Sequence, residues 1–327
     1  EPTADLLGQM WEDSARIQEE DAKYKQKRHK KEGKVSPRGY APLYDEDDAQ
    51  RAIERIQPLS YYTTAELLEG VTVTFHDAGH ILGSSSVEVT IEEHGTRTKV
   101  IFSGDIGQAG KPIIRDPSTF AEGDYLIMES TYGDREHRES GDIEAQLADV
   151  INATVRRGGK VIIPTFAVER AQELVYYIND LTRHERIPEV PVFLDSPMAV
   201  DATEIFRRHR KAFDAEAWAL ISSGESPLRM EHLTMSRTAT QSKAINSHEG
   251  PAIIMSTSGM CTAGRIKHHL KRNLPQPDNT VLFVGYQGRG TLGRLILEGR
   301  EKVRIHGKEY PVRAEIAQIY GFSGHAD

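Results

Sequence analysis

Residues 143–181 read IEAQLADVINATVRRGGKVIIPTFAVERAQELVYYINDL. The stretch divides into a helix over Ile143–Arg157, a stop at Gly158-Gly159, a strand over Lys160–Pro164 and a second helix over Val168–Leu181. The same alternation continues with strand Pro191–Leu194, helix Thr203–His209, strand Ala252–Met255, helix Gly264–Leu270 and strand Thr280–Val284. Strands that alternate with helices predict a parallel α/β sheet. Upstream the period differs. Val71, Val73 and Phe75 alternate with Thr72, Thr74 and His76, as in a half-buried strand. Val87–Ile91 and Thr98–Phe102 form a hairpin around His94-Gly95, and Tyr125–Met128 is expected as a further, buried strand. Residues 70–130 are therefore mostly β. The chain from Glu1 to Ile56 reads as a helical arm, with Leu6, Leu7, Met10, Trp11 and Ile17 at three- and four-residue spacing.

A chain of 327 residues at about 100–200 per domain suggests two domains, and 38% hydrophobic residues fit a globular protein. The 27 glycines and 15 prolines follow no period, which argues against a collagen-like or largely disordered chain. The longest apolar runs fall far short of the ~20 residues needed to cross a bilayer, so no membrane partner is expected. Cys261 is the one cysteine and cannot close an intramolecular disulfide; a cytoplasmic location is the default expectation. The net charge of −8 carries no bulk signature of a nucleic-acid partner. Lys23, Lys25, Lys27, Arg28, Lys30, Lys31 and Lys34 nevertheless concentrate positive charge, either as a solvated face or as a surface that meets phosphate.

Four units end a strand on a chemically capable side chain. In Asp77-Ala78-Gly79-His80-Ile81-Leu82-Gly83-Ser84, small neighbours leave room around the His80 imidazole for a metal or a substrate. Ser103-Gly104-Asp105-Ile106-Gly107 places the Asp105 carboxylate at a rim, where oxygen ligands bind or bridge cations. Glu129, in Met128-Glu129-Ser130-Thr131-Tyr132-Gly133-Asp134, is costly to bury unpaired and can orient an imidazole. His325 lies in Phe322-Ser323-Gly324-His325-Ala326-Asp327, a loop of small residues. Each unit alone has a plain alternative: a core or surface histidine, a turn-forming aspartate, a strand cap, a frayed end.

Taken in order, the four units resemble the β-CASP branch of the metallo-β-lactamase superfamily, nucleic-acid hydrolases that include the endonuclease subunit of the cleavage and polyadenylation factor and ribonuclease J. Val168-Glu169-Arg170-Ala171-Gln172-Glu173-Leu174 and Asp195-Ser196-Pro197-Met198-Ala199 are similar to two further hallmarks of that branch. The resemblance implies an αββα metallo-β-lactamase fold over residues 1–133, an inserted parallel α/β β-CASP domain over 134–314, and a return to the first domain over 315–327. It implies two zinc ions, with His80 ligating one and Asp105 bridging both, and a catalytic pair of Glu129 and His325 beside the scissile phosphate of single-stranded RNA. A protonated His325 would stabilise charge or protonate the leaving oxygen. Ser258, Gly259 and Ser323 are expected to contact substrate, the first two because a loop after strand Ala252–Met255 can turn backbone N–H groups toward a phosphate. A homodimer is one assembly open to such a protein.

The printed residues contain no His-x-His-x-Asp-His and no histidine after the Ser-Gly-His-Ala-Asp unit, so both motifs are expected to lie in a longer polypeptide. Two retained ligands leave a zinc shell incomplete, and the printed chain alone is expected not to cleave RNA. Two rivals remain: a catalytically silent RNA-binding relative, against which the four retained site residues speak, and a small-molecule metallo-hydrolase, which would not need a second wall of roughly 180 residues. Among the other features, Gly285-Tyr286-Gln287-Gly288-Arg289-Gly290 lacks dinucleotide-site spacing, Cys261 reads as inert, and His268-His269 read as helix surface.

Overall fold

The computed structural model describes residues 1–36, 39–137 and 142–327. The arm is helix α1 (Pro2–Glu32), followed by α2 (Glu46–Ile53). α2 begins at a capping box in which Asp45 and Asp48 each accept the other's backbone N–H. The alternating segment and its neighbours then form β1 (Thr64–Leu68), β2 (Val71–Asp77), β3 (Ser85–Glu93), β4 (Thr96–Phe102) and β5 (Tyr125–Ile127). These make one sheet in the order β1-β2-β3-β4-β5, antiparallel except for the parallel β4–β5 pair.

The second half contains α3 (Ile143–Arg156), β6 (Lys160–Pro164), α4 (Arg170–Arg183), β7 (Val192–Asp195), α5 (Pro197–Arg208), α6 (Ala215–Ser222) and β8 (Leu233–Met235). It continues with α7 (Ala239–Ile245), β9 (Ala252–Ser256), α8 (Ile266–Asn273), β10 (Thr280–Phe283), α9 (Leu292–Leu297), hairpin β11 (Lys302–Ile305) and β12 (Lys308–Pro311), and β13 (Glu315–Gln318). Its parallel six-stranded sheet runs β13-β10-β6-β9-β7-β8. The central strands read as near-continuous apolar runs because helices cover both faces. Val161, Ile162 and Ile163 are fully buried; Ile163 packs into the larger core and Ile162 into the one formed with α8, α9 and β11. No described helix is long and apolar enough to cross a membrane.

Three expectations need correction. Tyr125–Met128 is not buried: β5 is an edge strand, and both of its faces are open, with Leu126 61% and Ile127 56% exposed. The second sheet does not end at residue 314. β13 pairs with β10 over Glu315–Gln318, so the return to the first sheet falls after Gln318. The helix expected from Thr203 starts at Pro197, because Ser196 Oγ accepts the Ala199 N–H at 3.2 Å and proline suits the first helical turn.

Ile162→Ala, which empties a site in the helix-covered core, is expected to lower unfolding free energy by about 2–5 kcal/mol in urea titrations. Leu126→Ala on the open strand should change it by less than about 0.5 kcal/mol.

Candidate active site

Three backbone segments meet where no side chain would fit. β2 ends at buried Asp77, whose Oδ1 accepts the Gly79 N–H at 3.1 Å. Ser84 Oγ then accepts the N–H groups of His80 (3.0 Å) and Ile81 (3.2 Å), which closes a tight turn and presents His80. Gly79 has φ +61°, and a Cβ there would stand 2.6 Å from the Pro117 nitrogen. The loop after β4 lies directly on this turn: the Gly107 N–H donates to the Ala78 carbonyl at 2.8 Å, and a Cβ on Gly107 would stand 1.7 Å from the Gly79 oxygen. Asp105 is thereby brought beside His80, with Oδ2 3.9 Å from Nε2.

Glu129, just past β5, is fixed by its backbone and by its carboxylate. Its N–H donates to Ser103 Oγ at 3.0 Å, and Oε1 accepts the Ile106 N–H at 2.5 Å. Oε2 lies 2.9 Å from Nδ1 of His325, 196 positions away. The returning chain pairs with the Asp105 loop through an antiparallel bridge between Gly107 and His325, and the Ala326 N–H donates to the Ile106 carbonyl at 2.8 Å. The His325 ring centroid is 4.5 Å from that of His80. A Cβ on Gly324 would meet His80 Cε1 at 2.8 Å, so this approach also requires glycine.

Burial holds the His80 imidazole below its ordinary range, more than the neighbouring carboxylates raise it. Burial alone would raise Glu129, but hydrogen bonds from Thr131, the Ile106 N–H and His325 leave its carboxyl below the usual range. An ionised Glu129 accepts only, so Nδ1 of His325 carries the proton in this pair and Nε2 is the nitrogen left for other chemistry. Ligand atoms of His80, Asp105 and His325 lie within 4.8 Å of one another. Of these, the His80 imidazole and the Asp105 carboxylate are donors that suit zinc, while His325 is engaged by Glu129.

The VERAQE segment fastens the second sheet to these loops. Glu169, buried at φ +66° before α4, accepts the Leu82 N–H at 2.9 Å. Arg170 pairs with buried Glu173, and Glu173 Oε1 is 3.6 Å from the Lys111 ammonium. Lys111 also donates to the Gly321 carbonyl, while Arg170 lies 5.5 Å over the ring of buried Phe322.

Sequence reasoning missed Lys111, Gln108 and His137. Gln108 Nε2 (2.9 Å) and His137 Nε2 (2.7 Å) both bond the His325 carbonyl, and the His137 ring lies against that of Tyr132, centroids 4.0 Å apart and tilted by 43°. The available signal for His137 was its place two residues beyond the Glu129–Arg135 motif. Of the expected substrate contacts, Ser323 is in the His325 turn, where its hydroxyl accepts the His325 N–H at 3.3 Å. Ser258 and Gly259 follow β9. Ser258 Oγ accepts the N–H groups of Thr262 (3.1 Å) and Ala263 (3.3 Å), so those donors already have a partner. His269 is corrected from surface to core: it is fully buried, with Nε2 2.6 Å from Asp195 Oδ2. Cys261 is buried, which pushes its thiol up to about 12.

With this geometry in hand, the comparisons agree among themselves. The Beta-Casp domain family matches residues 171–296. A ribonuclease of Thermus thermophilus is 38% identical over 285 residues, which are 87% of this chain and 64% of that protein. An RNase J-like protein of Methanocaldococcus jannaschii is 31% identical over 331 residues, covering 100% of this chain and 69% of the relative. The transcription termination factor FttA of Thermococcus kodakarensis is 35% identical over 299 residues, 88% of this chain and 45% of that factor. The chain belongs to the β-CASP metallo-β-lactamase family of RNA nucleases, as a mixed α/β protein with a β-CASP insertion. It spans about half to two thirds of the length of these relatives.

Burial, and after it the charge of Glu173, pushes the Glu169 carboxyl up to about 8. The folded chain then holds a proton that the unfolded chain releases above about pH 4.5, so this contribution to stability is full below that pH and is lost as pH rises toward 8. Glu169→Gln keeps an acceptor for Leu82 without the charge. It is expected to raise stability at pH 8 by about 1–3 kcal/mol and to flatten the dependence between pH 5 and 8, read by urea titration at each pH.

Proposed function

We propose that this chain contributes to a zinc-dependent ribonuclease that hydrolyses phosphodiester bonds of single-stranded RNA. The observation that supports this reading most directly is the Glu129–His325 pair at 2.9 Å, set beside the His80–Asp105 pair by backbone contacts and by side-chain hydrogen bonds to the main chain. The relatives named as ribonucleases support the reaction class.

In this reading His80 and Asp105 would hold zinc. Zinc bound there supplies Lewis acidity toward a phosphoryl oxygen and lowers the pKa of a coordinated water. The chain's own residues do the proton work. Glu129 keeps the Nδ1 proton in place and stabilises positive charge on the ring, and His325 Nε2 gives its proton to the ribose oxygen as the phosphorus–oxygen bond breaks. Gln108 and His137 hold the His325 carbonyl, which limits rotation of that residue about the pair.

The test uses the zinc-loaded polypeptide that carries the remaining ligands and a labelled single-stranded RNA. Asp105→Ala should abolish cleavage and reduce zinc content. His325→Ala should slow the single-turnover step by about 100- to 10,000-fold while zinc content, measured by emission spectroscopy, stays near normal. Cleavage indifferent to Asp105→Ala, or loss of zinc in His325→Ala, would overturn the assigned roles.

A further inference from the structure

Three aromatic side chains leave the second sheet at one edge. β13, β10 and β6 are adjacent and parallel, and just past their ends the chain continues through Tyr320, Tyr286 and Phe166 respectively. Parallel strands finish on the same edge, with neighbours about 4.8 Å apart; carried past the strand ends, the register sets Phe166 and Tyr320 level with Gly285 between them, and Tyr286 one residue further on. All three are open to solvent: Phe166 is 46%, Tyr286 63% and Tyr320 42% exposed.

These rings are supported from below. A Cβ on Gly259 would stand 2.9 Å from the Phe166 ring, and one on Gly285 would stand 3.9 Å from it. The glycines after β9 and β10 therefore leave bare backbone against which the ring rests. A Cβ on Gly288 would meet Met260 Sδ at 3.5 Å and Thr291 Cγ2 at 3.6 Å before Tyr286 at 3.9 Å. Arg294 of α9 is ion-paired with Glu298, Nε to Oε1 at 2.7 Å, and lies near Tyr286 and Tyr320. Five residues beyond Tyr320 the chain reaches His325.

We propose that this edge is a stacking platform for the bases of single-stranded RNA, which it leads toward the Glu129–His325 pair; the proposal rests on the ribonuclease reading. Separate rings on successive strands, with an arginine among them, match the chemistry of an unpaired strand. Bases stack on aromatic faces while guanidinium groups meet phosphate or stack in turn. Stacking uses the face that every base has, so the platform discriminates bases from their absence more than one base from another.

The experiment measures binding of the 327-residue chain to a fluorescein-labelled 12-nucleotide RNA and to a strand of the same length and charge whose internal nucleotides are abasic. The unmodified chain should bind the base-bearing strand at least about tenfold more tightly. Phe166→Ala with Tyr286→Ala should abolish that preference and leave affinity for the abasic strand unchanged. Phe166→Leu, which keeps apolar bulk on Gly259, should also weaken the preference without shifting the melting temperature. Should the variants unfold, 2-aminopurine placed in the RNA reports stacking in the unmodified chain by fluorescence quenching, and a signal unchanged on binding overturns the platform. Equal affinity for both strands overturns the platform and leaves the ribonuclease reading standing. Failure to bind either strand removes both.

Discussion

The site depends on how closely three stretches of main chain approach one another. The turn around Gly79, the loop around Gly107 and the returning segment at Gly324 touch at distances that leave no volume for even a methyl group. Hydrogen bonds of Gly107 to Ala78 and of Ala326 to Ile106 make the contact directional. A catalytic constellation placed by side-chain packing alone would inherit the rotamer freedom of its supports. Here His80, Asp105 and His325 are each attached to backbone that is itself bonded to the next segment, which is how a reacting geometry is held to a fraction of an ångström.

Such an approach has to be maintained across the junction of two sheets, and charged groups maintain it. The Leu82 N–H is bonded by Glu169, and the Gly321 carbonyl by Lys111, so α4 and its partner lysine grip the two chain segments that carry His80 and His325. Burying a lysine, an arginine and two glutamates is unfavourable unless they neutralise one another. Arg170, Glu173 and Lys111 form such a set, whereas Glu169 is left to stay protonated. Phe322 adds the apolar share: it is fully buried, with Tyr177 against its ring edge and Arg170 over its face.

Strand and helix periods in the sequence were sufficient for the second sheet, because its strands are covered on both faces and read as uninterrupted apolar runs. They misled at Tyr125–Met128, where the residues are apolar yet no described residue covers them; composition reports what a strand could bury, not whether anything lies over it. Short strands such as β8, β11 and β13, three or four residues each, carry too little pattern to register. His80, Asp105, Glu129 and His325 stood out in the sequence only together, as four units in the order of a known family, since each alone had a plain alternative. Lys111 and His137 did not stand out, since their roles come from carbonyl groups that only the folded chain places within reach.

The carboxylate–imidazole pair recurs in the structure, and environment separates two of its uses. Asp195 and His269 meet at 2.6 Å with both side chains wholly buried, and the carboxylate is further satisfied by Ser242 at 2.6 Å and Arg265 at 2.8 Å. Burial acts to raise the Asp195 carboxyl, but these partners hold it below its ordinary range. A pair so enclosed can tie β7 to α7 and α8, but it has no path by which to exchange a proton with substrate. Glu129 and His325 are 14% and 28% exposed, with a neighbouring carboxylate, Asp105, that is 61% exposed. The Asp-Ser-Pro-Met-Ala hallmark is therefore framework for the sheet, whereas the Glu129–His325 pair lies where solvent can reach it.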